Sequence, residues 1–347
     1  MACRHLSADP KPEVHEIMST LQQVAFRAGC SIATASRVLN HNGPVSDEMV
    51  RRVRRAAAEL GYRASGRAGS YTSRRPAIGV LIPSITNPVF AASLSSIQHR
   101  ALHAGHSVLI AQSNYDPAQE ADAVVSLLQQ QPTGLILTVC DPEHSPALSS
   151  ALPPTVLLGN LPTARFTAAV ATDNFGAGRD LTDHLLRQGH RRILFIAGHF
   201  AASDRARLRY LGHVKAMEAA GYPPLAALEI SFIDGLEQLD LADVISGRGP
   251  TAIIASNDLL ALGVMGALRR QGLSIPRDIS VAGFDGISLG QLMEVSLTTV
   301  DIPDATMGAA AASLLLDMAE NAAPPRHLTV PYRLRPGGTV RNLNTSS

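Results

Sequence analysis

From Ala77 onward the chain repeats one pattern: a run of three to five mostly apolar residues, then a longer stretch with a single apolar face. The runs fall at residues 78–82, 108–111, 135–139, 156–158, 193–197, 252–255 and 280–284. A strand with one wet face alternates apolar and polar side chains, so runs apolar throughout belong to parallel strands covered on both faces. The stretches between them, such as 206–219 and 259–271, have helical periodicity and supply the crossovers. The pattern predicts an α/β doubly wound body, and its length is too great for one such sheet, which predicts two.

The N-terminal region reads differently. Thr20, with Gln23 three residues on, makes a capping box for a short helix in which Leu21, Val24, Ala25 and Ala28 share a face and Gly29 is the stop. Cys30 follows and is expected in the core. Ser31 can cap a second helix over 32–39 that packs Ala35, Val38 and Leu39 inward and shows Thr34, Ser36, Arg37 and Asn40 to solvent. Two short helices joined so tightly have the dimensions of a helix-turn-helix. Ser46 is expected to cap a third helix with Val50, Val53, Ala57 and Leu60 along one stripe and Gly61 at its end. Hydroxyls and an amide on the second helix suit phosphates, and Arg37 suits a bidentate contact with guanine. Arg51, Arg52, Arg54 and Arg55 add positive charge on the third.

Charge separates the two regions. The formal net charge is +1, yet residues 1–76 hold twelve Lys and Arg against six Asp and Glu, whereas the remainder holds 18 against 23. A polyanion partner is therefore expected for the N-terminal segment alone. Cys3, Cys30 and Cys140 lie far apart, which argues against a disulfide framework or a paired-cysteine zinc site. No apolar run approaches the ~18 residues of a membrane span. Residues 1–19 carry Asp9, Glu13 and Glu16 without an apolar core, unlike a secretory signal, so a cytoplasmic location is expected. Neither G-x-G-x-x-G nor G-x-x-x-x-G-K-[ST] occurs, and His184, His190 and His199 lack metal-binding spacing. No cofactor, metal or catalytic constellation is expected.

The string TLQQVAFRAGCSIATASRVLNHNGPVS, followed by ELGYR at residues 59–63, resembles the DNA-binding head of the LacI family of transcription regulators. The resemblance places Ile32, Ala33 and Arg37 at base-reading positions, and Ser31, Thr34, Ser36 and Asn40 at phosphate-positioning ones. In that family the stretch after the head is a hinge that folds on DNA and wedges a Leu into the minor groove, and Tyr71 stands at that position. Gly66 and Gly69 weaken such a helix by ~1 kcal/mol each relative to Ala. Segments IGVLIPSITNPVF, SNYDPAQE, VATDNFGAGRDLTDHLLRQGHRRI, SNDLLALGVM and GLSIPRDISVAGFD follow the order of the family's periplasmic-binding-protein-like body. The implied fold is an all-α helix-turn-helix head plus an α/β two-lobed body, with the chain crossing between lobes near Asp173, near Asp301 and after Pro325. The expected layout is a tail at 1–19, the head at 20–62, the hinge at 63–76, the body at 77–340 and a tail at 341–347. A homodimer on palindromic operator DNA, with a small effector in the body, follows from the resemblance.

Arg205 and Arg209 lie one helical turn apart near the start of a helix, so both can face an anion from one side. By resemblance, Arg209 of the R-x-x-G motif ending at Gly212 is the effector-binding arginine, Asp285 is the cleft aspartate, and Phe90, Phe232 and Asn257 line the pocket. The stretches at 283–294 and 335–339 resemble the gluconate-operon repressors of the family. A sugar acid is the expected effector, since a carboxylate takes an arginine fork while hydroxyls take Asn and Asp; a neutral sugar or nucleoside is the alternative. Gly159 and Asn160 depart from the Asp-Arg common in the family at that point. A sugar-transport protein would share the body without the basic head, and a nucleotide-dependent enzyme would need glycine-rich turns that the chain lacks.

Overall fold

The computed structural model describes residues 20–39, 43, 45–60, 62, 75–149, 151–231 and 235–344. The chain forms two compact units, Met1–Arg74 and Arg75–Ser347. No helix among the described residues is long and apolar enough to cross a membrane.

In the first unit, α1 (Leu21–Ala28), α2 (Ile32–Leu39) and α3 (Asp47–Glu59) close around a core of Val24, Ala25, Ala28, Ala35, Val38, Val53, Ala56 and Ala57. Small side chains let helices this short approach closely. The capping box forms: Thr20 N donates to Gln23 Oε1 at 2.7 Å, and Gln23 N donates back to Thr20 Oγ1. Gly29 ends α1 at φ 65°, in the left-handed region that favours glycine. Ser31 Oγ accepts from Thr34 N at 3.1 Å and starts α2. Two expectations need correction. Ser46 stands at the start of α3 but its side chain makes no capping bond; Asp47 and Glu48 in the first turn favour that helix end by charge instead. Cys30 is half-buried at the margin of the core. Gly61 lies outside the described residues.

The second unit runs β1 (Ala77–Ile82), α4 (Pro88–His103), β2 (Ser107–Gln112), α5 (Pro117–Leu128), β3 (Gly134–Leu137), β4 (Thr155–Leu158), β5 (Ala169–Ala171), α6 (Asn174–Arg187), β6 (Ile193–Gly198), α7 (Asp204–Ala219) and β7 (Leu228–Ile230). It continues through α8 (Ala242–Arg248), β8 (Ala252–Ala255), α9 (Asp258–Arg270), β9 (Ser280–Asp285), α10 (Ser288–Leu292), β10 (Thr298–Asp301), α11 (Asp304–Asn321), β11 (His327–Thr329) and β12 (Arg333–Arg335). Two six-stranded sheets result, in the orders β11-β5-β4-β3-β1-β2 and β12-β10-β9-β8-β6-β7. Every pairing is parallel except β10 with β12. Each sheet is the floor of one lobe, and the chain passes between lobes from β5 to α6, from β10 to α11 and from β11 to β12. Helix α11 packs on α4 and on β3 and β4, so it belongs to the first lobe although β10 before it belongs to the second.

All seven apolar runs become strands, their side chains buried on both faces in the central ones, as in β3, β4, β6, β8 and β9. Helices α6 and α7 touch through glycines. A Cβ on Gly178 would lie 2.0 Å from the Arg209 carbonyl oxygen, and one on Gly212 would lie 2.1 Å from that of Phe175. This contact fixes the height at which α7 presents its first turns.

Candidate functional site

Parallel strands of both sheets end at one cleft between the lobes, where loops rather than ladders satisfy the backbone. Its volume is about 700 Å3, counting the part open to solvent. Val89, Phe90, Leu158, Ile302 and Met307 give it apolar walls; Asn87, Tyr115, Thr138, Thr172, Ser256 and Asn257 add polar groups. Arg205, Arg209, Asp285 and Asp304 add charge.

Ser203 caps α7 by accepting from Ala206 N, and the first two turns then aim Arg205 and Arg209 at the cleft. Arg209 is buried, and its donors are largely committed. Nε donates to Asn174 Oδ1 at 2.8 Å, and Nη1 donates to the Ser256 carbonyl at 2.6 Å and lies 3.0 Å from Asp285 Oδ1. The guanidinium carbon sits 4.8 Å from the centre of the Phe284 ring. Arg205 Nη1 donates to the Val139 carbonyl at 3.0 Å and to Asp204 Oδ1 at 3.1 Å. The spacing argument thus brings both arginines to one cleft, but each arrives with its own carboxylate.

Asp285 ends β9 at φ 104°, a conformation that side chains rarely adopt. Asp258, fully buried at the start of α9, holds that turn: its Oδ2 accepts from Gly286 N at 2.8 Å and Ile287 N at 3.0 Å, and its Oδ1 from Thr299 Oγ1 at 2.7 Å. Burial, then the charge of Asp285, pushes the Asp258 pKa up to about 8. Burial also raises the pKa of Asp285, with Arg209 opposing. Across the cleft Asn87 caps α4 and donates from Nδ2 to Tyr115 Oη at 3.2 Å. Tyr115 itself has φ 58° and meets Phe90 edge to face. Ser256 Oγ is buried without a hydrogen-bond partner among the described residues.

Asn160, fully buried, ties the lobes together beside the cleft. Its Oδ1 accepts from Val139 N at 2.9 Å, and its Nδ2 donates to the Val139 carbonyl at 3.0 Å and to Asp204 Oδ1 at 2.9 Å. Asp204 N donates to the Cys140 carbonyl at 2.7 Å. The loop after β4 therefore reaches α7 of the other lobe through an amide.

Of the expected effector residues, Phe90, Arg205, Arg209, Asn257 and Asp285 all border this cleft, Asn257 also capping α9 through Leu260 N; Phe232 lies outside the described residues. Of the expected DNA-reading residues, Ile32, Ala33 and Arg37 are exposed on or at the start of α2, and Thr34 and Ser36 are half-buried. The Ser31 and Thr34 hydroxyls bond each other at 2.8 Å. Asn40 and Tyr71 lie outside the described residues. Within the arginine cluster of α3, Arg52 donates to the Ala28 carbonyl at 2.6 Å and so closes the end of α1. Sequence reading missed Asp304, Asp258, Tyr115 and Ser256; the signal that could have found most of them is position, since polar residues just after a parallel strand face the cleft.

A helix-turn-helix in one unit, and two lobes with a polar cleft between them in the other, define a DNA-binding regulator that answers to a small molecule. Residues 20–65 match the model of the bacterial regulatory proteins of the lacI family, and residues 182–340 match that of a periplasmic binding protein-like domain. The HTH-type transcriptional regulator GntR of Escherichia coli is 33% identical over 92% of this chain and 98% of its own length. A LacI-family transcriptional regulator from Silicibacter pomeroyi has a solved structure with TM-score 0.73, 28% identity, and coverage of 93% of this chain and 99% of that one. The lac repressor dimer bound to operator and an anti-inducer gives a TM-score of 0.68 at 26% identity, over 93% and 99% of the two chains. The chain belongs to the lacI family, and it is a DNA-binding transcription regulator rather than an enzyme.

Proposed function

We propose that this regulator is a repressor, dimeric on a palindromic operator, that a small sugar acid such as gluconate or 6-phosphogluconate releases from DNA. In this reading α2 reads bases with Ile32, Ala33 and Arg37 and positions on phosphates with Ser31, Thr34, Ser36 and Asn40, while Tyr71 wedges at the hinge. Arg205, Arg209, Asn257, Asp285, Phe90 and Phe232 hold the effector. The supporting observation is that Arg205 and Arg209 border one cleft together with hydroxyl and amide groups. Binding that favours one angle between the lobes shifts the DNA-binding equilibrium by the difference in affinity for the two states.

A neutral sugar is the second reading. It is favoured by the pairing of Arg205 with Asp204 and of Arg209 with Asp285, which leaves neither guanidinium with a free unit of charge. Calorimetric titration with gluconate, 6-phosphogluconate and glucose separates the two, and fluorescence anisotropy on operator DNA reads the release. The sugar-acid reading expects the acids to bind and glucose not to; glucose alone binding overturns it. Arg209→Lys is the informative variant, because it keeps a charge beside Asp285 while removing the fork that reaches Asn174. Its expected phenotype is DNA binding that no longer responds to the acid.

A further inference from the structure

Among the described residues, Asp304 is the one carboxylate bordering the cleft that has no cation of its own. Arg205 is matched by Asp204 at 3.1 Å and Arg209 by Asp285 at 3.0 Å. The Asp304 carboxyl has no hydrogen-bond or ion-pair partner among the described residues; its backbone N–H donates to the Ile302 carbonyl at 2.9 Å, and its carbonyl accepts from Ser93 Oγ of α4 at 3.2 Å. Asp304 is half-buried, and the charges that act on it among the described residues are those of Asp285 from β9, Arg209 from α7, Asp301 from β10 and Asp258 from α9. Asp301 is held by Arg333 and Arg335, Asp258 by three donors, and Arg209 by Asp285. No cation among them is left for Asp304, although as the first residue of α11 it has the favourable end of a helix dipole.

Resting on the sugar-acid reading, we infer that Asp304 is the charge filter of the cleft: an anionic effector enters only with Asp304 protonated, its carboxyl O–H donating to an oxygen of the ligand. A ligand carboxylate would otherwise add a second unpaired negative charge to a space from which it also expels water. Burial and the neighbouring Asp285 already hold Asp304 well above the usual carboxylate range, with Arg209 opposing. Effector binding then takes up a proton at every pH where the free protein has Asp304 ionised. In that range the affinity for gluconate, whose own charge stays constant, falls about tenfold per pH unit.

The test is calorimetric titration of the full-length protein with gluconate between about pH 6 and pH 9, and with 6-phosphogluconate above about pH 7.5, where its phosphate is fully ionised, in paired buffers of different ionisation heat. Wild type is expected to bind more weakly as pH rises, with a heat that depends on the buffer. Asp304→Asn, which carries a permanent neutral donor, is expected to lose both dependences and to exceed wild-type affinity at the alkaline end. Proton uptake by Asp258 would survive in that variant, so its loss assigns the proton to Asp304. A flat pH profile with buffer-independent heat in wild type overturns the inference without any variant, and an unchanged profile in Asp304→Asn overturns it with one. Acids that bind Asp304→Asn but not wild type support the filter and remove the sugar-acid effector; acids that bind neither protein overturn both.

Discussion

Alanine at Gly178 should damage this protein, whereas alanine at Gly266 should strengthen it, although both glycines sit within helices. A Cβ at Gly178 would stand 2.0 Å from the Arg209 carbonyl oxygen, 2.8 Å from its carbon and 2.9 Å from Cα. Every obstacle is backbone, so no rotamer change relieves the clash and α6 must back away from α7. Overpacking of this kind costs ~3 kcal/mol or more, and the better helix propensity of Ala returns ~1, leaving a net loss of ~2 kcal/mol. At Gly266 the nearest atom is the flexible tip of Arg270 at 3.5 Å, so only the propensity gain of ~1 kcal/mol remains. Urea denaturation followed by far-ultraviolet circular dichroism reads both midpoints. The backbone it strikes is that of Arg209 itself, so Gly178→Ala should also weaken the effector response in whatever fraction folds. Equal midpoints for the two variants would refute the close approach of α6 and α7.

Arg37→Ala should weaken operator binding by ~1 to 3 kcal/mol and relax selectivity at one base position per half-site; a randomised-site selection showing unchanged preference removes Arg37 from base reading. Asn160→Ala strips partners from the Val139 amide and carbonyl and from Asp204, so it should destabilise by ~1 to 3 kcal/mol in thermal denaturation, and a neutral result would sink the interlobe tie. Burial lowers His190 and His213 from 6.5 to about 4, so the unfolded chain takes up protons first as pH falls. The stability they contribute is complete above about pH 6.5 and lost on the way down to 4. His213→Gln should therefore lose less stability than wild type between pH 7 and pH 5, as read by urea midpoints.

The strands legible in the sequence are those whose burial is carried by apolar side chains alone. The ones that were not legible have other reasons to be buried. Thr298 and Thr299 of β10 look polar yet are fully buried, because their hydroxyls donate to the Gly337 carbonyl and to Asp258. Three-residue strands such as β5, β7, β11 and β12 are too short for periodicity to register, and Arg333-Leu334-Arg335 is polar at both ends. The order of strands within each sheet was not legible, since pairing partners such as β11 and β5 are joined by nothing local.

The candidate site divides along the same line. Helical spacing was enough to put Arg205 and Arg209 on one face, because both belong to α7 and one turn separates them. What those charges meet was not legible, for the partners come from other segments: Asp285 from the end of β9, Asn174 from the start of α6 and the Val139 carbonyl from the opposite lobe. Asp304 reaches the cleft only because the chain changes lobes between β10 and α11. An arginine pair read from sequence therefore announces an anion site, while the sum of charge in the folded cleft is set by aspartates that no local pattern connects to it. The selection of effector charge consequently belongs to the carboxylates, and Asp304, left without a cation, is where a substitution should change it.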